Sequence, residues 1–265
     1  MLIAERYEAA EKLREGGTAT IYLGVDNFKG ERVAIKQLKP QFFKDKYMRA
    51  ALKKEANRYL YLRHPNIVRL NDFIIEKGKH FLIMEYVEGQ NLSEYLRNVT
   101  GPMPIGMAAL LMSEVLSALN FAHQKNVAHL DIKPSNIMLS TNDEIKVIDF
   151  GIAQVINDNG PERTMGTPSY MSPEQLSPSK GVNYLSDIYS CGITLYELIT
   201  GHTPFKDAKS REELFEAIRK NNIPSIGRIH GINKVIAKAA AKKKELRYTT
   251  CDEFKSSLNP IINTY

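Results

Sequence analysis

The chain has 265 residues, 43% of them hydrophobic and 25% charged, with two cysteines and a formal net charge of +6. These proportions exclude a disordered, collagenous or low-complexity chain, and two cysteines make neither a disulfide framework nor a metal-ligand set. Residues 1–201 carry 23 basic and 23 acidic side chains, so the whole excess lies in residues 202–265, with 13 basic and 7 acidic, densest at Lys242, Lys243 and Lys244.

In chain order, the first third reads as strands. Residues 32–38 alternate and are β-branched, and residues 80–86 form an apolar run after Gly78. Between them, residues 46–62 have helical spacing, with Met48, Leu52, Ala56, Tyr59 and Leu60 near one face. Beyond Val87 long helical patterns take over at 105–124, 186–200, 211–220 and 232–241, interrupted by short strand-like pieces at 137–139 and 145–148. A small β-rich part thus precedes a larger helical part, and Glu88-Gly89 suits a hinge between them.

The apolar stretch 105–121 contains Ser113, Glu114 and Asn120, which favours a buried helix over a membrane span. No leader-like apolar core opens the chain, and Cys191 within the apolar run 188–199 reads as a buried thiol. A cytoplasmic location is the expectation. The lysine run reads as a solvated helix end. No aromatic residue interleaves it and no recognition motif accompanies it, so no nucleic-acid partner is expected.

Four constellations carry chemistry. Gly16-Gly17, within Leu13-Arg14-Glu15-Gly16-Gly17-Thr18-Ala19-Thr20-Ile21, lets backbone N–H groups approach phosphate oxygens. Val33-Ala34-Ile35-Lys36 puts a lysine in an apolar strand, where its charge must meet an anion, and Glu55 lies nineteen positions later in the helical segment. His129-Leu130-Asp131-Ile132-Lys133-Pro134-Ser135-Asn136 follows the long helix, and Asp149-Phe150-Gly151 closes an apolar strand. Asp and Asn oxygens suit Mg²⁺, a hard cation. A carboxylate two positions from a lysine suits a hydroxyl that loses its proton as a phosphoryl group arrives.

In this order and spacing, from about Tyr7 to Phe254, the motifs resemble the eukaryotic-type protein kinases, in their Ser/Thr branch and bacterial style. The resemblance implies an α+β, bilobal fold, with an N-lobe at 1–86 and a C-lobe at 87–265. It implies ATP with Mg²⁺ (or Mn²⁺) as cofactors and protein substrates as partners. Lys36 would hold the α- and β-phosphates and pair with Glu55. Asp131 would orient the substrate hydroxyl and Lys133 would steady the γ-phosphate. Asn136 and Asp149 would hold the metal. Leu13, Ile21 and Ala34 above and Met138 below would sandwich adenine, beside Met84 and the backbone of Glu85 and Val87, with Gly16 and Gly17 over the phosphates. Thr167, in Gly166-Thr167-Pro168-Ser169-Tyr170-Met171-Ser172-Pro173-Glu174, would bond Asp131 and Lys133. Glu174 would pair with Arg247, Asp187 would anchor the catalytic loop, and His129 would be structural.

Three departures stand out. Only Gly16 of the three usual loop glycines is kept, with Arg14 and Ala19 at the other two places, so looser loop closure is expected. Asn91 takes the place of an acidic ribose contact. Leu130 replaces the arginine that receives an activation-segment phosphate, so activity is expected not to require phosphorylation, although Thr164 is a candidate phosphosite. The rival readings are a pseudokinase-type binding scaffold, a small-molecule kinase and a nucleic-acid-binding module. Lys36, Glu55, Asp131, Lys133, Asn136 and Asp149 are all present against the first, and the Gly166–Glu174 segment stands against the second.

Overall fold

The structure is a computed structural model, and it describes every residue except Thr18, 41–45, 151–167, 178–180, Arg228 and Tyr265. The side chains of 46–48, 51, 55 and 230 are likewise outside the description. The small lobe is a six-stranded antiparallel sheet of β1 (Leu2–Ile3), β2 (Tyr7–Glu15), β3 (Ala19–Asp26), β4 (Glu31–Leu38), β5 (Leu70–Glu76) and β6 (Lys79–Glu85), in the order β1-β2-β3-β4-β6-β5. Helix α1 (Lys46–Leu60) packs on one face.

Alternation along the strands separates the two faces. Val33, Ile35, Phe81 and Ile83 point outward and join Ile3 and Tyr7 in a small core of their own. Leu38, Leu82 and Met84 point inward to the main core, with Ala34 packed against it. Lys36 lies on this inner face, in register with Leu82.

The larger lobe contains β7 (Gly89–Asn91), the short helix α2 (Leu92–Tyr95), α3 (Ile105–Gln124), β8 (Ile137–Ser140), β9 (Ile145–Val147), α4 (Leu185–Thr200), α5 (Arg211–Lys220), α6 (His230–Ala239) and α7 (Cys251–Ile262). α3 is long and apolar enough to span a bilayer, but most of its surface is buried within this lobe, against α7 and α4. The sheet β7-β8-β9 lies between α2 and α3 and carries the residues that follow the catalytic loop.

Asn91 caps α2: its side chain accepts from Glu94 N–H at 3.0 Å while Glu94 reaches back to Asn91 N–H. The Asn91 side chain is thereby engaged in the fold. α4 and α6 approach closely at Gly192, where a Cβ would come within 3.0 Å of the Ala239 Cβ.

The lysine run corrects the sequence-based expectation of a solvated helix end. α6 ends at Ala239 rather than at 241. The Lys242 ammonium is buried against the rings of Phe205 and Tyr189, 5.1 and 5.7 Å from their centroids, with no hydrogen-bond partner among the described residues. Lys244 donates to Gly181 O at 3.0 Å. Burial first, and then the neighbouring Arg247, lowers the Lys242 pKa to about 8 from 10.5. The folded protein therefore binds this proton less well than the unfolded chain does, and stability should rise with pH between about 8 and 10.5. Lys242→Met should be more stable than wild type at pH 7 and should lack that rise. Equal melting temperatures at pH 7, with the rise retained, would refute the assignment.

Candidate active site

Two ammonium–carboxylate pairs mark the site, Lys36–Asp149 between the small-lobe sheet and the chain after β9, and Lys133–Asp131 within the large lobe. The Lys36 ammonium, 9% exposed, lies 2.7 Å from Asp149 Oδ1. Among the described residues its anion is Asp149, just after β9; the Glu55 side chain is outside the described residues. Burial pushes the Asp149 carboxyl up, but Lys36, and to a lesser extent His129 and Lys133, pull it below its ordinary value. Asn136 links the two pairs: its Nδ2 donates to Asp131 Oδ2 at 2.9 Å, and its backbone carbonyl accepts from the N–H of Ile148, next to Asp149, at 3.0 Å. Phe150 is buried between Tyr59 of α1, at 5.9 Å, and His129, at 4.8 Å ring to ring. The hydroxyl of Tyr59 donates to Val68 O at 2.6 Å.

The catalytic loop is fixed from beneath. Asp187 at the start of α4 is fully buried and accepts from the N–H groups of His129 at 2.8 Å and Leu130 at 2.6 Å, with His123 Nε2 at 2.8 Å. Desolvation raises its pKa, yet these bonds outweigh it and keep the carboxylate ionised. The two nitrogens of His129 have complementary partners. Nδ1 accepts from Asp131 N–H at 3.2 Å, and Nε2 faces Ile148 O at 2.8 Å and so donates to it. With both nitrogens engaged and no exposed surface, His129 is a structural tie.

Leu130 has φ +63°, a left-handed conformation that costs an L-residue on the order of 1–3 kcal/mol. The bonds around the loop hold it there. Asp131 then projects its carboxylate toward Lys133 Nζ, at 2.7 and 2.9 Å, and accepts from Asn136 Nδ2 at 2.9 Å. That amide nitrogen also donates to Asp131 O at 2.8 Å, so the remaining polar atom of Asn136 is its oxygen.

This donor set fits Mg²⁺. Asp149 supplies a carboxylate and Asn136 an amide oxygen, both hard ligands. Among the described residues no three His, Cys, Asp or Glu side chains cluster as an all-protein cage. A site of one carboxylate and one amide suits a cation that completes its shell with phosphate oxygens and water.

The other sequence-predicted positions distribute as follows. Ala34 and Met84 face each other across β4 and β6 on the inner face, and Ile21 is in register with Lys36. Met138 lies on β8 opposite Asn91. Leu13, 44% exposed, lies near the tip of the β2–β3 hairpin. Gly16 N–H donates to Ala19 O at 2.8 Å and closes the hairpin, while Gly17 is exposed. Thr164 and Thr167 are outside the described residues.

Glu85 and Val87 lie in the segment joining the lobes. Glu85 N–H donates to Arg69 O at 2.9 Å. Two ion pairs strap this segment. Arg32 Nη2 reaches Glu88 Oε2 at 2.7 Å from the small lobe, its guanidinium 4.9 Å from the Tyr86 ring centroid. Lys146 Nζ reaches Glu85 Oε1 at 2.8 Å from the large lobe.

Beyond the catalytic loop, the described residues resume at Pro168, within the Gly166–Glu174 segment, the docking segment that the family resemblance implies. Glu174 and Arg247 form a buried bidentate pair at 2.6 and 2.8 Å, with Ser186 Oγ donating to the same carboxylate at 2.7 Å. Gln175 bridges to the catalytic loop: Nε2 donates to Leu130 O at 3.0 Å, and Oε1 accepts from Ser172 N–H and Oγ at 3.0 and 3.1 Å. Sequence reasoning assigned Gln175 no role, because a glutamine after Pro-Glu carries no charge or spacing signal.

A family profile described as "protein kinase domain" matches residues 7–262. The chain is 35% identical over 266 residues to a probable serine/threonine-protein kinase PknB of Lactococcus lactis, covering 97% of this chain and 42% of that protein. It is 34% identical over 274 residues to the serine/threonine-protein kinase PknB of Mycobacterium tuberculosis, covering 98% and 44%. The chain thus spans less than half the length of these relatives. The crystal structure of the Mycobacterium tuberculosis PknI kinase domain superposes with a TM-score of 0.79 at 25% identity, over 98% of this chain and 97% of that one. The chain belongs to the protein kinase family, as a bacterial-type Ser/Thr kinase catalytic domain with the bilobal fold.

Proposed function

We propose that the chain transfers the γ-phosphoryl group of ATP to Ser or Thr hydroxyls of proteins, itself included. The observation that supports this reading is the linkage of the Lys36–Asp149 and Lys133–Asp131 pairs through Asn136, which donates to Asp131 and accepts from the N–H of Ile148 beside Asp149. In this reading, Lys36 and Lys133 neutralise phosphate charge, and Asp131 orients the acceptor hydroxyl and takes up its proton. Asn136 and Asp149 hold Mg²⁺, or Mn²⁺ in its place; when bound, the ion screens the phosphate oxygens. Adenine lies under Ala34 and over Met138, with Leu13 and Ile21 at the rim, Met84 behind and the Glu85 and Val87 backbone at its edge. Glu55 completes the Lys36 pairing, and Gly16 and Gly17 cover the phosphates. Thr167 docks beside Asp131 and Lys133. Residues 1–86 and 87–265 form the two lobes.

The test is label transfer from γ-labelled ATP with Mg²⁺, to the protein itself and to a generic basic acceptor protein, followed by phosphoamino-acid analysis. Label on Ser or Thr supports the reading, and bound ATP without transfer favours a binding scaffold. Position 130 is an apolar leucine, 8% exposed, so it offers no cation to a phosphate on the activation segment. Thr164→Ala should therefore keep turnover within about twofold of wild type, and loss of turnover in a folded variant would reverse this conclusion.

A further inference from the structure

We infer that Gln175 is a positioning residue that makes the setting of Asp131 depend on the seating of the docking segment. The peptide plane that enters Asp131 is held at both ends. Its N–H donates to His129 Nδ1 at 3.2 Å, and its carbonyl, that of Leu130, accepts from Gln175 Nε2 at 3.0 Å. The preceding plane is tied to Asp187 through Leu130 N–H. Leu130, at φ +63°, therefore holds its conformation between an acceptor on helix α4, the Asp187 carboxylate, and a donor from the 172–175 segment, the Gln175 amide.

The other end of Gln175 reads that segment. Its Oε1 accepts both the N–H and the hydroxyl of Ser172, a side chain with no exposed surface. Glu174, between them in sequence, is clamped by Arg247. The amide can therefore reach Leu130 O only when 172–175 is docked on the large lobe. With leucine at position 130 no side-chain charge is available to link the loop to the segment, and the link runs through the backbone carbonyl of that same residue. Asp187 fixes the loop to the fold, and Gln175 fixes it to the substrate-docking surface.

This inference rests on the kinase reading above, so the experiment keeps the two apart. Gln175→Met preserves length and volume and removes the amide. It should lower kcat for protein phosphorylation about 10- to 100-fold, since small displacements of a positioned group have effects of this size. KM for ATP and the melting temperature should stay near wild type. Gln175→Glu retains an acceptor for Ser172 but has no donor for Leu130 O when ionised, and should be as impaired as Gln175→Met. In parallel, hydrogen exchange of the catalytic-loop amides should be faster in Gln175→Met, a readout that needs no turnover. Full activity in Gln175→Glu, or unchanged loop exchange in Gln175→Met, overturns the inference. A lower melting temperature with unchanged kcat reduces Gln175 to a structural contact and overturns it as well. Absence of transfer by wild type tells against the kinase reading alone, because loop exchange still decides the role of Gln175.

Discussion

Asp131→Asn should reduce phosphoryl transfer by about two to four orders of magnitude while leaving ATP affinity and the melting temperature close to wild type. The carboxylate accepts from Lys133 and from Asn136, and its side chain is 38% exposed. Removing one charge at such a position leaves no deeply buried ion behind, so the fold has little to lose. An asparagine of the same shape presents an NH₂ group or a weak carbonyl where a proton acceptor stood. Opposite Lys133, its nitrogen meets another donor. On the proposed reading ATP binds through the inner sheet face and Lys36, which this change does not touch. Titration of nucleotide binding beside label transfer separates the two effects. Unchanged transfer would remove Asp131 from the mechanism.

Arg247→Met should be the most destabilising of the substitutions considered, by about 3–5 kcal/mol at neutral pH, because it strands a buried carboxylate. Arg247 has a fully buried side chain, donates to Glu174 twice and to the carbonyls of Ala241 and Leu185, and lies 5.0 Å from the Tyr189 ring centroid. Without it Glu174 keeps, among the described residues, only Ser186 as a side-chain partner. In wild type, desolvation raises the Glu174 pKa, but the hydrogen bonds and charge of Arg247 outweigh it and bring the value to about 2, below the ordinary 4.5. A depressed carboxyl contributes stability above its unfolded pKa and loses it as pH falls, here between about 4.5 and 2. The deficit of Arg247→Met should therefore shrink over that window. The chain has no tryptophan, so far-UV circular dichroism is the suitable probe. A drop of roughly 10 °C in Tm is expected for a domain of this size. A variant as stable as wild type at pH 7 would show that the pair is not what holds the docking segment.

Much of this architecture was legible in the sequence because periodicity and motif order are local signals. The strand around Val33-Ala34-Ile35-Lys36 and the helices Ile105–Gln124 and Arg211–Lys220 lie where the pattern put them. Asp187 beneath the loop and Arg247 on Glu174 followed from the family resemblance, and the geometry matches. What escaped were features made by tertiary contact. The hairpin of β1 and β2 is short and polar on one side, and its role appears only when Ile3 and Tyr7 close a second core. Lys242 reads as one of three surface lysines until the fold sets Phe205 and Tyr189 against it. The Asp149 partner of Lys36 is remote in sequence, and no spacing rule links the two.

The two straps on the connecting segment differ in their exposure, and this makes one of them sensitive to the medium. Arg32 and Glu88 are 53% and 58% exposed, whereas Lys146 and Glu85 are 15% and 27% exposed. Added electrolyte shortens the Debye length from about 10 Å at 0.1 M to about 3 Å at 1 M, and screens the exposed pair far more than the sheltered one. As ionic strength rises, Glu88 should loosen from Arg32 while Glu85, which ends β6, stays held by Lys146. The Arg32 contact is thus the salt-sensitive one of the two, and the Lys146 contact, which joins β9 to β6, the persistent one.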